Sequence, residues 1–475
     1  MPLISLEFAL FFIVFFVVYW LLRMHPRIQN LLLLVASLGW LLHISTAFVV
    51  AVVVFALMVH WCGRQIIHAA EPSKRGWLAI GIVVAVANLA LYKYCDFFVP
   101  VLKTWLQTDV LDIIMPLGLS YYTFQGVAYL VGLYQGKTEH LKFFNLLLHF
   151  SFFPTITSGP IIRAGAFQSI EGCNPGAAAQ LQTSQPRHII RPALAVSLIL
   201  LGILKKWWLA GFLGENWVDP VFDNPLQYDG VSLLTAIYGY TAQLFFDFSG
   251  YSDLVIGMAM LLGFKLPANF MMPLTAINIR DFWARWHITL STWIRDYIYI
   301  PLGGSRKGFV RQQINVMAAM VLSGIWHGYG WNFMLWGALH GTALVLLNVK
   351  HRLWPVTASP RPQSIILSQW LTLTFVCAAF VVFHTASLAA AGSVFQSLLQ
   401  GSNWVMPINV GALSMLLLLG VCWFFYPCWV SGFQGFVGLL EKIPMWAWPI
   451  PVGAILLLIY FMAPAGIPGF IYANF

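Results

Sequence analysis

Apolar runs about as long as a bilayer is thick recur along this chain, and they decide its solvent before any fold is considered. Residues 3–22, LISLEFALFFIVFFVVYWLL, carry a single carboxylate. A helix needs about 20 mostly apolar residues to cross the hydrocarbon core. Further runs lie near 31–62, 76–99, 110–134, 191–211, 231–263, 312–326, 331–349, 365–388, 405–427 and 446–464. The run at 31–62 is long enough for a tight hairpin or for one tilted, kinked helix. Charged residues make up 9% of the 475, against about 25% in ordinary soluble domains. The pattern predicts an all-α polytopic membrane protein of about eleven spans.

The N-terminal run has no basic start and no small-residue cleavage site, so it reads as the first transmembrane helix rather than a cleaved signal. Aromatic residues reach 16%, with 21 Trp. Interfacial belts take some of these and the core takes the rest. The net charge of +9 speaks of orientation. No clustered basic tail or zinc-knuckle spacing points to nucleic acid. The six cysteines form no CxxC pair, and most sit in apolar stretches, as buried thiols do.

Two regions break the spanning pattern. Residues 141–162, LKFFNLLLHFSFFPTITSGPII, are too short to cross and end in Pro154, Gly159 and Pro160. They read as a re-entrant segment, which lipid tolerates only where protein or a cavity surrounds it. Residues 265–311 set Arg280, Asp281, Arg285, Arg295, Asp296, Arg306, Lys307 and Arg311 among Phe and Trp, and read as interfacial helices. Arg23 and Arg27, the basic 265–311 region, and Lys350, Arg352 and Arg361 belong in the cytoplasm by the positive-inside rule. Residues 214–230 carry Glu215, Asp219, Asp223 and Asp229 and no Lys or Arg, which places them outside. Both termini then fall in the periplasm. No linker or repeat divides the chain, so 1–475 reads as one membrane domain, with 168–191 a polar loop.

The stretch SGIWHGYGWNF, residues 323–333, sets His327 in apolar sequence. Buried imidazole needs partners or a purpose. Glycines at i−3 and i+1 allow close helix approach. Ser323, at i−4, is placed to hydrogen-bond the imidazole. GYGWN breaks the helix, and a break at depth lines a cavity. His327 therefore reads as functional, the alternative being a histidine that only bridges helices. His287 lies in IRDFWARWHITLSTWIRDYIYIPLGGSR, with Trp283 and Trp286 before it on a helix and Arg280 two turns earlier. It is placed to face the same interior. His340, in Gly337–Gly341, weighs as packing more than chemistry, and His149 and His384 as lone apolar-face histidines. Asp247 and Asp253 are costly in lipid and read as salt-bridged to Arg280 or Arg285, the alternative being a paired or substrate-facing site. Zinc spacing, a Walker loop and GxSxG are all missing. PLGGSRKG is too short for a phosphate fingerprint, yet Arg306 and Lys307 could touch a nucleotide phosphate.

Five ordered motifs carry a resemblance: PLGLSYYTFQGVAYLVGLYQG, FFPTITSGPIIR, FFDFSGYSDLVIGMAMLLGFKLPANF, RDFWARWHITLSTWIRDYIYIPLGGSR and GIWHGYGWNFMLWGALHG. Over residues 116–341 the chain resembles the membrane-bound O-acyltransferase superfamily, in its bacterial alginate O-acetylase and peptidoglycan O-acetyltransferase branch. The resemblance implies a ring of tilted helices, with re-entrant and interfacial pieces, around a central tunnel. It places the superfamily histidine on His327 and the branch's second histidine on His287, where Ile-Thr follows instead of the commoner Ile-Ser. It implies an acyl thioester donor on the cytoplasmic side, acetyl-CoA or an acyl carrier, with no bound cofactor or metal. It also implies a periplasmic partner of SGNH-hydrolase type and a multi-pass place in the bacterial inner membrane. Arg280, Trp283, Ser323, Trp326, Asn332, Arg306 and Lys307 stand around the two histidines as candidate substrate contacts. Asn332, Trp N–H groups or His287 are candidates to steady an oxyanion. A transporter of glycan or acyl carrier would need two matching halves with broken helices, which the sequence lacks. An acyltransferase of lipid or protein is the other alternative.

Overall fold

The computed structural model describes residues 3–95, 99, 104–105, 114–169, 172–354, 362–466 and 469. Arg361, residues 96–98 of the span expected at 76–99 and residues 110–113 of the one at 110–134 lie outside them. Among the described residues, eight helices are long and apolar enough to cross a membrane, or nine if one bent pair counts as a single span. The chain forms two compact units, residues 1–195 with 255–268, and residues 196–254 with 269–475.

The first unit opens with α1 (Leu6–Leu21), α2 (Pro26–Ile44), α3 (Thr46–His68) and α4 (Ser73–Lys93). The long run at 31–62 thus resolves as a hairpin of two helices. Ser45 breaks it in extended backbone, and its hydroxyl accepts from the Ala47 N–H at 3.2 Å, capping α3. Helix α5 (Leu119–Tyr134) follows, then α6 (Phe143–Ser151). At nine residues α6 is too short to span. The turns after it pack back on the unit: Gly118, at φ +76°, lies where a Cβ would meet the Ile156 carbonyl oxygen at 2.2 Å. The stretch expected as a loop holds a hairpin, β1 (Phe167–Ser169) with β2 (Gly172–Asn174), and α7 (Gly176–Leu181). It is held by Arg187, buried with no salt-bridge partner among the described residues. Its guanidinium donates to Asn30 Oδ1 at 2.7 Å and the Gln180 carbonyl at 3.0 Å, and lies over the Phe264 ring. Carbonyl dipoles and a ring face offset the desolvation of its charge.

The second unit is built on α8 (Pro192–Asp223) and α9 (Gly230–Leu261). Sequence patterning ends a span near 211 and leaves 214–230 outside the membrane. The helix continues through the acidic residues to Asp223, and two π-helical segments, Leu204–Ala210 and Gly214–Val218, interrupt it. At Gly202 and Gly250 the two backbones touch: a Cβ on Gly202 would lie 2.6 Å from the Gly250 carbonyl. That approach sets Lys205 beside Asp253, at 2.7 Å, and buried Lys206 beside buried Asp247. Both carboxylates are therefore salt-bridged, but to lysines of α8 and not to Arg280 or Arg285. Arg285 is held by Asp281 one turn away.

Short helices α10 (Ile279–Arg285) and α11 (Ile288–Ile294) occupy the amphipathic region. Helices α12 (Phe309–His327), α13 (Trp331–Leu353), α14 (Pro362–His384), α15 (Leu388–Leu399) and α16 (Gly401–Val405) follow. Then α17 (Val410–Phe424) meets α18 (Tyr426–Lys442) at a 66° bend, and α19 (Pro449–Met462) follows. Sequence patterning missed α15 and α18, whose polar and glycine positions interrupt the apolar runs. The core of this unit is aromatic, with Tyr240, Phe245, Phe282, Trp286, Trp336, Phe380 and Phe383 buried together. Between helices in lipid, such packing rather than hydrophobic transfer holds the fold.

Candidate active site

Gly324 and Gly337 bring α12 and α13 into backbone contact. A Cβ on Gly324 would lie 2.2 Å from the Phe333 carbonyl oxygen, and one on Gly337 2.4 Å from that of Met320. No other residue fits there without moving a helix. The crossing fixes His327, the last residue of α12, before extended Gly328. His327 is 3% exposed. Its ring meets Trp326 at 4.6 Å, and Trp336 and Phe383 edge-on at 5.0 Å each. The bond expected from Ser323 does not form. The Ser323 hydroxyl is buried with no partner among the described residues, and the imidazole packs against Trp336 and Phe383.

His287 is not on a continuous helix with Trp283 and Trp286. Helix α10 stops at Arg285, Trp286 is extended, and His287 takes a left-handed conformation at φ 43° before α11 begins. A non-glycine residue held there stores strain, a cost often met at functional sites. Asn269 holds it. The Ile288 N–H donates to the Asn269 carbonyl at 2.9 Å, and Asn269 Oδ1 receives Thr289 Oγ1–H at 2.6 Å and the Thr289 N–H at 3.3 Å. His287 Nδ1 lies 3.3 Å from the same oxygen. An amide oxygen only accepts, so Nδ1 carries the proton and Nε2 is left with its lone pair. Nε2 is buried without a partner. Burial pushes the imidazole pKa down to about 3: desolvation disfavours the cation.

The other candidates divide. Asn332 is buried, but its amide donates to the Thr385 carbonyl at 2.9 Å and ties the start of α13 to the end of α14. Trp326 packs on His327. Trp283 stands against Trp336 at 5.7 Å and His340 at 5.1 Å, its Nε1 buried with no partner. Arg280 is exposed and donates to Asn348, itself hydrogen-bonded to Gln313 at 2.8 Å. Arg306 and Lys307 are exposed in the turn before α12, which Asn315 anchors through the Gly304 carbonyl at 3.0 Å. Of the candidates, Ser323 and Asn332 are thus buried and Trp283 and Trp326 half-buried, while the three cations lie at the surface.

Sequence reasoning missed Asn269 and Trp336, and weighed His340 as packing. Asn269 stands in the LPANF motif with no periodic signal to mark it. Trp336 and His340 are one turn apart on α13, and a polar atom that finds no partner after folding cannot be read from spacing. A chain of rings leads from His327 to the residue before His287: Phe383 at 5.0 Å, Phe380 at 6.1 Å from that, and Trp286 at 5.4 Å from Phe380.

Comparison with known proteins bears on this arrangement. A family model described as the membrane-bound O-acyltransferase family matches residues 102–389. The probable alginate O-acetylase AlgI of Pseudomonas syringae pv. tomato is 31% identical, over 80% of this chain and 71% of its own. The peptidoglycan O-acetyltransferase of Helicobacter pylori is 32% identical, over 71% of this chain and 68% of its own. The teichoic acid D-alanyltransferase of Bacillus subtilis is 29% identical, over 57% and 69% respectively.

Proposed function

Because the chain belongs to the membrane-bound O-acyltransferase family, we propose that this multi-pass acyltransferase moves an acetyl group from a cytoplasmic thioester towards a cell-envelope or extracellular polysaccharide. The observation that carries the reading is His327: an imidazole buried among aromatic rings where α12 ends and extended backbone begins. Relatives named for acetylating alginate and peptidoglycan support the acyl group and the class of polymer. Acetyl-CoA, or an acyl carrier, is the donor.

The chemistry needs a proton acceptor and a seat for developing negative charge. A hydroxyl oxygen attacks the thioester carbonyl carbon, and its proton passes to His327. The C–S bond breaks and His327 returns the proton to the departing thiolate. His287, with Nε2 as an acceptor, holds an O–H or N–H of the substrate. Neutral His287 has no N–H at Nε2, so it is not the oxyanion donor that the sequence allowed. Arg306 and Lys307 draw in the anionic donor from the cytoplasmic side. Both termini face the periplasm of a bacterial inner membrane, where an SGNH-type partner passes the group to the polymer.

The test uses purified, reconstituted protein and labelled acetyl-CoA. His327→Ala should insert and express normally and lose transfer by about 10²–10⁴-fold. A folded variant with normal transfer would overturn the role of His327. Ser305→Cys should react with impermeant thiol reagents only from the cytoplasmic side, and labelling only from the periplasm would reverse the orientation.

A further inference from the structure

His340 on α13 is 0% exposed, and neither of its ring nitrogens has a partner among the described residues. A neutral imidazole carries one N–H donor and one lone pair, so both are stranded. Two indole N–H groups beside it, those of Trp283 and Trp336, are stranded as well. The three rings touch one another: Trp283 and Trp336 at 5.7 Å, Trp336 and His340 at 4.8 Å, Trp283 and His340 at 5.1 Å. Phe282 stacks on the imidazole at 6.3 Å and Phe375 meets it at 5.5 Å, so apolar rings close the surroundings. Trp336 is also the ring that meets His327 at 5.0 Å.

Stranded polar groups at such depth are costly, and a cluster of them calls for an occupant. Indole N–H can only donate. With the imidazole N–H, three donors stand in one ring cluster, against a single lone pair. That excess suits an oxygen that accepts several hydrogen bonds. We propose that Trp283, Trp336 and His340 form the seat for the carbonyl oxygen of the acyl group, one ring away from His327. The inference rests on the acyl-transfer reading above and adds donors to it, since Asn332 already spends one of its two amide N–H groups on the Thr385 carbonyl and His287 presents a lone pair. As the hydroxyl adds, the C=O electron pair moves onto this oxygen, and fixed donors in a water-poor site stabilise it more than water would. His340, weighed from sequence as packing, then becomes part of the binding chemistry.

Two thioethers separate the possibilities. Acetonyl-CoA keeps a carbonyl but cannot transfer an acyl group, and S-propyl-CoA has the same chain without the oxygen. Calorimetry on the reconstituted wild type should show acetonyl-CoA binding about tenfold tighter or more, with its carbonyl stretch shifted to lower frequency. Trp283→Phe, Trp336→Phe and His340→Phe should each shrink that preference. Each should also lower kcat by about 10²–10³-fold and raise KM for the donor by no more than the binding preference it loses. Equal wild-type affinity for the two probes, or variants that fold and keep the preference, would overturn the seat and leave the acyltransferase reading standing; a lone buried water would then satisfy these atoms. If neither probe binds wild type, the CoA-donor reading itself fails and the seat with it. The wild-type comparison needs no variant, so a variant that does not fold leaves the test intact.

Discussion

Asn269 Oδ1 lies 3.3 Å from His287 Nδ1 and so decides which nitrogen of that imidazole presents a lone pair. The same oxygen takes the Thr289 hydroxyl and N–H, so a flipped amide would set donors against donors. Asn269→Leu removes the acceptor while keeping the volume. The imidazole can then hold its proton on either nitrogen, and the left-handed turn loses its brace. We expect transfer to fall about tenfold or more, since general acid–base groups contribute about 10²–10⁴-fold when correctly protonated and placed. Asn269→Asp, which still accepts at Nδ1, should recover much of the rate. Steady-state transfer assays on the two variants check this, and equal rates for Leu and Asp would show the bond to be structural only.

A pH dependence of stability follows from the same residue. In the unfolded chain the imidazole has its ordinary value of 6.5, while in the fold burial lowers it to about 3. Below 6.5 the unfolded state binds a proton that the fold refuses. The contribution of His287 is therefore fully present above pH 6.5 and is lost as pH falls towards 3, at ~1.4 kcal/mol per pH unit. Thermal unfolding in detergent at pH 7.5, 6 and 5 should show the wild type losing more stability than His287→Gln. Parallel losses would show that His287 is charged or solvated in the fold.

The membrane fold was legible in the sequence, because apolar runs are local patterns; His327 stood out between its glycines, and His287 by its Trp and Arg neighbours. Helix α8 was not legible: nothing in GENWVDP announces π turns on the way to Asp223. The partner of Asp247 was misread for a similar reason. Two arginines near in the motif order looked suitable, but the Gly202 and Gly250 crossing delivers lysines. Asn269 lies 18 residues from His287, and its role exists only once the chain turns at φ 43°. The stranded nitrogens of His340 are a property of packing, invisible to any spacing rule.

The buried pair of Lys206 and Asp247 gives a stability test. Removing one partner leaves an uncompensated charge, so Asp247→Asn should cost about 3–5 kcal/mol, while replacing both with apolar residues is often near neutral. Lys206→Met with Asp247→Leu should therefore be more stable in detergent than Asp247→Asn alone. If the double variant is the worse of the two by thermal unfolding, the pair contributes more than mutual neutralisation, and a proton or substrate role for Asp247 gains weight.

The last prediction concerns the coupling of His287 and His327. Both are buried, at 1% and 3% exposure, in the same compact unit, and a chain of ring contacts through Phe383 and Phe380 leads from His327 to Trp286, the residue before His287. Residues that act on one chemical step show strongly non-additive losses, because the step is already lost once either is gone. His287→Ala and His327→Ala should each cripple transfer of label from acetyl-CoA, and the double variant should be little worse than the weaker single one. The split between kcat and KM separates the two roles: His327→Ala should act on kcat, while His287→Ala should also raise KM, because His287 holds a substrate group already in the ground state. Strictly additive losses would mean that the histidines serve different steps, one on each side of the transfer, and the shared site would have to be abandoned.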